Sequence, residues 1–199
     1  MPQILKKEIK NKILQSALNS FLEKGYRNTS MQEIAQNAGI AAGNIYNYFK
    51  NKEEVFSTLI HPVLTRVKEI FAIQSKDLPM LNTEDRMGIA QRRMEEFIQV
   101  YQSNRKVFVL LFEKSDSTKF ETTKADVEDS FAAAIIHAKN DFTSNAATQE
   151  QQMLIKAFAS AYVSGIISIL TEKTDEALKL NVLQEFLPFI RTKLSDSLR

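Results

Sequence analysis

Apolar residues recur along this 199-residue chain at intervals of three and four rather than two, and that spacing limits the fold more than any other feature. Ile9, Ile13, Leu14, Ala17, Leu18, Phe21 and Leu22 fall on one face of a helix, with Lys6, Lys7, Lys10 and Lys12 mostly on the other. Val55, Phe56, Leu59, Ile60, Val63, Val67, Ile70 and Phe71 make a second stripe. Further helices are expected over about 83–103, 105–114, 118–142, 148–172 and 175–197, with Thr83, Thr148 and Thr174 or Asp175 as N-caps. No stretch alternates with β-branched residues, and five Gly and four Pro are too few for a loop-rich β fold. The chain predicts an all-α architecture with no sheet.

Punctuation within the first 52 residues sets out three short helices. Lys24 followed by Gly25 ends the first. Ser30-Met31-Gln32-Glu33 is a capping box that opens the second, and Gly39 closes it. A third is expected from Ala42 to Phe49, after which Lys50-Asn51-Lys52 breaks the pattern. The second and third are too short to stand without the first. Pro62 lies inside the next stripe and predicts a kink. This reading divides the chain into a head, 1–52, and a larger helical bundle, 53–199.

Charge divides the same way. The formal net charge of +2 splits into +5 for residues 1–52 and −3 for the remainder, a basic head on a mildly acidic body. Catalytic and metal chemistry find little support. There is no cysteine, and neither His61 nor His137 has a glutamate three residues before it, where Thr58 and Ala134 stand. No nucleophile elbow or phosphate-binding glycine loop occurs, and Glu95-Glu96 points its carboxylates to adjacent helix faces. No enzyme activity, cofactor or metal is expected. The N-terminus lacks a signal-peptide apolar region, and the longest uncharged run, Ala157 to Thr171, has 15 residues where a bilayer needs roughly 20. A soluble cytoplasmic protein with no membrane partner is expected.

Residues 29–49, TSMQEIAQNAGIAAGNIYNYF, have the layout of a helix-turn-helix, with the motif proper at about 30–49. Ala35 is small where two helices must cross, Gly39 allows the turn, and Ile34, Ile40, Ile45 and Phe49 can join the pair to the first helix. Opposite Ile45 and Phe49 the third helix carries Gly43, Asn44, Asn47 and Tyr48. Plain solvent would be served by Lys and Glu. Asparagines suit adenine edges in a major groove, and Gly43 permits close backbone approach.

The run from Lys12 to Phe56, densest in AGIAAGNIYNYFKNKEEVF at 38–56, resembles the tetracycline-repressor (TetR) family of transcriptional regulators. The resemblance implies that the third helix is the recognition helix. Ala42, Gly43 and Asn44 would then approach bases or nearby phosphates, Asn47 would share that face, and Tyr46 and Tyr48 would meet the DNA backbone. Lys52 would contact a phosphate, and Ser30, Met31 and Gln32 would lie against the duplex. Two positions depart from the family pattern. Ala41 stands where Ser or Thr usually caps the helix, a loss of about 0.5–2 kcal/mol. Ala42 stands where Lys, Arg or Pro is frequent, which argues against arginine–guanine readout and towards an A·T-rich operator.

In the body, small residues at Ala157, Ala161, Ser164, Gly165 and Ser168 form a stripe distinct from Ile155, Phe158, Tyr162, Ile166 and Ile169. The last helix is apolar on two sides, with Leu183, Phe186, Leu187, Ile190 and Leu194 beside Leu178, Val182 and Phe189. Two apolar sides need two partners. The resemblance implies that these two helices pair with their twins in a homodimer, whose heads would stand about 34–36 Å apart, one DNA turn. Met87, Met94, Phe97, Tyr101, Phe108, Phe112, Phe131 and Phe158 are core-like at this spacing. The resemblance implies that some of them line a site for a small apolar or aromatic effector, with His137, Tyr101 and Tyr162 as polar handles. The implied function is a dimeric operator-binding regulator, a repressor released by a small molecule. The alternatives are a DNA-binding dimer without an effector, architectural or protein-controlled, and a module whose polar helix meets a protein.

Overall fold

The computed structural model describes the backbone of residues 3–71, 83–143 and 145–197, and the side chains of 5–70, 92–137, 139–140 and 145–186. Among the described residues there are seven α-helices and no strand: α1 (Gln3–Lys24), α2 (Met31–Asn37), α3 (Lys52–Phe71), α4 (Thr83–Glu113), α5 (Thr123–Thr143), α6 (Gln149–Thr171) and α7 (Glu176–Ser197). One 3-10 turn, Asn44–Asn47, lies between α2 and α3. The chain forms two compact units, Met1–Val67 with Ile98–Glu121, and Lys68–Phe97 with Thr122–Arg199.

The first unit closes on one core. It takes Ile13, Ala17 and Phe21 from α1, Met31, Ile34 and Ala35 from α2, and Ile45 and Phe49 from the 3-10 segment. Val55, Phe56, Ile60 and Leu64 of α3, Leu110 and Leu111 of α4, and Phe120 complete it. The Phe56 ring lies 5.2 Å from both Phe21 and Tyr26 and 5.9 Å from Phe120, centroid to centroid. A boundary after residue 52 would cut through this core. The charge pattern marks the basic surface, but short helices need the α3 and α4 stripes to bury their apolar sides.

Backbone bonding explains where the elements stop. Gly25 adopts φ +77°, and its N–H donates to the Phe21 carbonyl at 2.9 Å. At the end of α2 the Ile40 N–H reaches the Ala35 carbonyl (3.0 Å) and the Gly39 N–H reaches Gln36 (3.1 Å), a Schellman motif with Gly39 at φ +70°. The expected helix over 42–49 is reduced to the single 3-10 turn. Ala41 has no side-chain oxygen to cap it, and the Asn44 N–H takes the Ala41 carbonyl instead at 2.9 Å. The α3 helix starts where Asn51 Oδ1 accepts from the Glu54 N–H (2.8 Å), and it runs on through Pro62. The expected break between 103 and 105 is a non-helical residue inside α4, Asn104 (φ −136°, ψ 28°), whose amide donates to the Val100 carbonyl at 2.9 Å. Residues 118–122 turn rather than extend α5, because Thr118 folds its hydroxyl onto the Ser115 carbonyl (2.6 Å).

In the second unit α5 packs on α6 through Ala132, Ile135, Ile155 and Ala159. The buried stripe of α6 is Ile155, Ala159, Val163, Ile166 and Leu170. Its N-terminus is a capping box between Thr148 and Gln151. Glu128 of α5 accepts hydrogen bonds from Ser160 (3.0 Å) and Ser164 (3.1 Å) of α6. Phe131, Tyr162 and Phe186 form a stacked ladder across α5, α6 and α7, with centroid spacings of 5.2 and 6.1 Å. Length and composition alone would let α6 cross a membrane. Ser160, Ser164, Ile155 and Ala159 of this helix are engaged with α5.

Candidate nucleic-acid interface

Side chains of α1 bond directly to the backbone that presents α2. The Ser16 hydroxyl donates to the Ile34 carbonyl at 2.8 Å in a buried position. Thr29 places its hydroxyl between the carbonyls of Ser20 (3.2 Å) and Gly25 (2.9 Å), and the Asn37 amide donates to the Ser20 hydroxyl (3.3 Å). Lys24 pairs with Glu33 at 2.8 Å, and that partner holds the lysine above its ordinary pKa. Ser30 caps α2 by accepting from the Glu33 N–H at 3.1 Å. α2 is thus tied to α1 by the buried bonds of Ser16 and Thr29 and capped at the surface by Ser30, with Ser30 and Gln32 left exposed.

The 3-10 turn is held from one side only. Ile45 and Phe49 are buried, while Ala42, Gly43, Asn44, Tyr46 and Asn47 are exposed, Tyr46 by 57%. Gly43 has ordinary helical dihedrals, and a Cβ built on it meets nothing within 4 Å. Its glycine therefore answers no need of the isolated fold. The bare face is polar and uncharged, and it carries two amides, a phenol and a backbone that can be closely approached.

Two residues expected to contact DNA have partners within the protein. The Met31 side chain is 8% exposed and belongs to the core, because the first residue of α2 turns inward beside Ile34 and Ala35. The Lys52 ammonium is already engaged. It donates to the carbonyls of Tyr26 (2.6 Å) and Thr29 (2.7 Å), stands 3.4 Å from that of Arg27, and lies 4.3 Å from the Tyr26 ring centroid. Partial burial lowers its pKa from the usual lysine value. It joins the start of α3 to the α1–α2 turn, where the resemblance implied a phosphate contact. Tyr48 is half-buried against the core. The engagement of Lys52 has no linear signal in the sequence, since its acceptors lie 23–26 positions away.

Residues assigned to the body's two roles are distributed differently from expectation. The small-residue stripe of α6 splits. Ser164 turns to Glu128, and Gly165 lies under Phe186, whose ring tip occupies the space a Cβ would need. Ala157, Ala161 and Ser168 remain exposed, joined on the same stripe by Leu154, which the sequence reading missed. On α7, Leu178 and Val182 are exposed one turn apart. Phe186 is half-buried in the ladder of its own chain rather than bare, and the Ile190 side chain lies outside the described residues. Of the effector candidates, Tyr101, Phe108 and Phe112 pack on one another in the first unit. Met94, Phe97, Phe131, Phe158 and Tyr162 belong to the second. His137 is exposed on α5, because that position lies off the face that meets α6. The Met87 side chain lies outside the described residues.

A short capped helix, a glycine turn and a second short element with one bare polar face define a helix-turn-helix head. Residues 13–59 match the family model "Bacterial regulatory proteins, tetR family". The chain is 40% identical over 60 residues to the uncharacterized HTH-type transcriptional regulator YhgD of Bacillus subtilis, covering 30% of this chain and 31% of that protein. It is 43% identical over 47 residues to the fatty acid metabolism regulator protein of B. subtilis, 24% of each chain. The match thus spans about a third or less of these relatives' length. The whole fold is similar to that of MexZ, a repressor from Pseudomonas aeruginosa, with a TM-score of 0.63 at 20% identity over 97% of this chain and 96% of that one. The head thus matches the tetR family of bacterial regulatory proteins over residues 13–59, while the rest of the chain is similar to a solved repressor in fold alone. Both relatives carry the names of regulators, not of enzymes.

Proposed function

We propose that this protein is a cytoplasmic transcriptional regulator that binds operator DNA as a homodimer, acts as a repressor, and leaves the operator when a small apolar or aromatic molecule binds the body. The observation that carries the reading is the bare face Ala42–Asn47, held from behind by Ile45 and Phe49. In this reading Asn44 and Asn47 address base edges, Tyr46 meets the backbone, Gly43 lets the chain approach, and Ser30 and Gln32 meet phosphates at the start of α2. Dimerisation is supported by Leu154, Ala157 and Ala161 on α6 and Leu178 and Val182 on α7, apolar residues left bare by their own unit. An aromatic effector is supported by the half-buried ladder of Phe131, Tyr162 and Phe186. The relatives' names add nothing about the effector, since those matches cover at most a third of either chain.

Selection of bound duplexes from random DNA by the full-length protein tests the head. Gly43→Ala is the sharpest variant, because its added methyl has free space in the protein alone. It should leave thermal stability intact and abolish operator affinity. Asn44→Ala should relax sequence choice by about 1–3 kcal/mol. A protein that ignores every duplex at low ionic strength, or a Gly43→Ala variant that binds normally, overturns the assignment. Thermal-shift screening, followed by loss of operator binding with each hit, separates the ligand-released repressor from a dimer without an effector.

A further inference from the structure

We propose that the amino-terminal arm of α1 is a second DNA-backbone contact of the head, made by Lys6 and Lys10. The inference rests on the reading of the head as a duplex-binding element. The family match begins at residue 13, so the arm lies outside it. Yet α1 is one continuous helix from Gln3 to Lys24, and residues before 13 prolong its axis instead of trailing.

The sequence positions 6, 10, 13, 17 and 21 succeed one another at spacings of four and three, a single stripe along the helix, so Lys6 and Lys10 continue the apolar face rather than lie opposite it as first expected. From Ile13 onward that stripe is buried against the helix-turn-helix through Ala17 and Phe21. Before Ile13 it carries Lys10 and Lys6, both exposed. Ile9 beside it still packs against the core, so the face that meets the DNA-reading elements becomes partly cationic before Ile13, and it continues for about 10 Å at the rise of an α-helix. Lys10 shows where this row points. Its ammonium stands 5.2 Å from the ring centroid of Phe49, two residues after the 3-10 turn that bears Asn44, Tyr46 and Asn47. Among the described residues neither lysine has an ion-pair partner. A row of unneutralised ammonium groups that ends against the 3-10 segment complements a row of phosphates. Lys12 lies on the far side of the helix from this row and serves as a charge-matched control.

The test measures affinity of the full-length protein for a short random-sequence duplex across a salt series, and the preferred sequence by selection from random DNA. Lys6→Gln with Lys10→Gln should make the slope of log affinity against log salt shallower by about 0.9 for each phosphate that a head no longer neutralises, with the preferred sequence unchanged. Lys12→Gln should change the slope by far less. Lys10→Arg should retain wild-type binding, which separates removal of a cation from removal of packing on Phe49. An unchanged slope in the double glutamine variant, or an equal change in Lys12→Gln, overturns the arm contact. If Gly43→Ala still abolishes operator binding in those cases, the reading of the head stands alone; if it too has no effect, that reading has failed as well.

Discussion

The two units leave different things bare. From α2 to the middle of α3 every large apolar side chain is buried or half-buried except Tyr46, and the exposed remainder of the reading segment is Ala, Gly and Asn. In the second unit Met153 and Leu154 of α6 and Leu178 and Val182 of α7 are exposed although α6 packs on both α5 and α7. A bare amide keeps its hydrogen bonds in water and exchanges them for those of a base edge. A bare leucine gains by leaving water altogether, at roughly 25 cal/mol per Å2 of apolar surface. The first unit is thus finished as a core with a polar face left bare, whereas the second leaves apolar side chains bare, the face that the dimer reading gives to another copy.

The largest effects should fall in the finished core. Phe56→Ala removes a ring in contact with Phe21, Tyr26 and Phe120 and should cost about 3–5 kcal/mol of unfolding free energy. Leu110→Ala, more than 40 residues beyond the helix-turn-helix, should cost about 2–5 kcal/mol and lower DNA affinity with it, since Leu110 is in the same core. Thermal denaturation alongside duplex binding checks both. A Leu110→Ala variant whose head remains folded and fully active would restore a boundary after residue 52 and break the comparison.

Next in size is the bare face of the body. Leu178→Glu with Val182→Glu places two charges where the dimer reading buries two apolar side chains, each contributing about 1.5–3 kcal/mol. Light scattering at micromolar concentration should show a monomer with unchanged helical content. A dimer that survives both charges would sharpen the comparison in the other direction, by moving the interface elsewhere.

What the sequence displays and what it hides follow from the range of the interactions. The α2 cap, the two glycine turns and the inward pair Ile45 and Phe49 depend on neighbours within five residues, and periodicity displays them. The shortened third helix has its local sign in the missing hydroxyl at Ala41. Lys52 reads as a DNA contact because charge is visible in a sequence, while three carbonyls more than 20 residues away are not. In α6 the small residues read as one stripe, yet Ser164 and Gly165 are claimed by Glu128 and Phe186, partners on other helices. Helix periodicity gives the faces; which neighbour covers each face is tertiary information.

Lys52 offers a smaller and cleaner separation of roles. Lys52→Met keeps the stem and removes the ammonium, leaving the carbonyls of Tyr26 and Thr29 without their donor. The loss should be about 1–2 kcal/mol of stability, the lower part of the range for charged hydrogen bonds because the site is only partly buried. Operator affinity should fall no further than stability accounts for, and the salt slope should remain that of the parent protein. A slope shallower by about 0.9 per head would return Lys52 to the phosphates.

The smallest net effect should come from Gly165, where two opposed terms nearly cancel. Alanine in place of glycine within a helix gains about 1 kcal/mol in propensity. Here its Cβ would collide with the tip of the Phe186 ring, which is itself stacked on Tyr162, so the ring must move and the ladder must loosen. Overpacking of that kind costs about 1–3 kcal/mol. Gly165→Ala should therefore be neutral to mildly destabilising in the parent chain. With Phe186→Ala already present the clash is gone, only the propensity gain remains, and the same substitution should become stabilising. The sign reversal is the measurement, read from a double-mutant cycle of chemical denaturation. If Gly165→Ala stabilises both backgrounds equally, Phe186 does not lie over α6, and the glycine returns to the stripe of small residues available to a second copy.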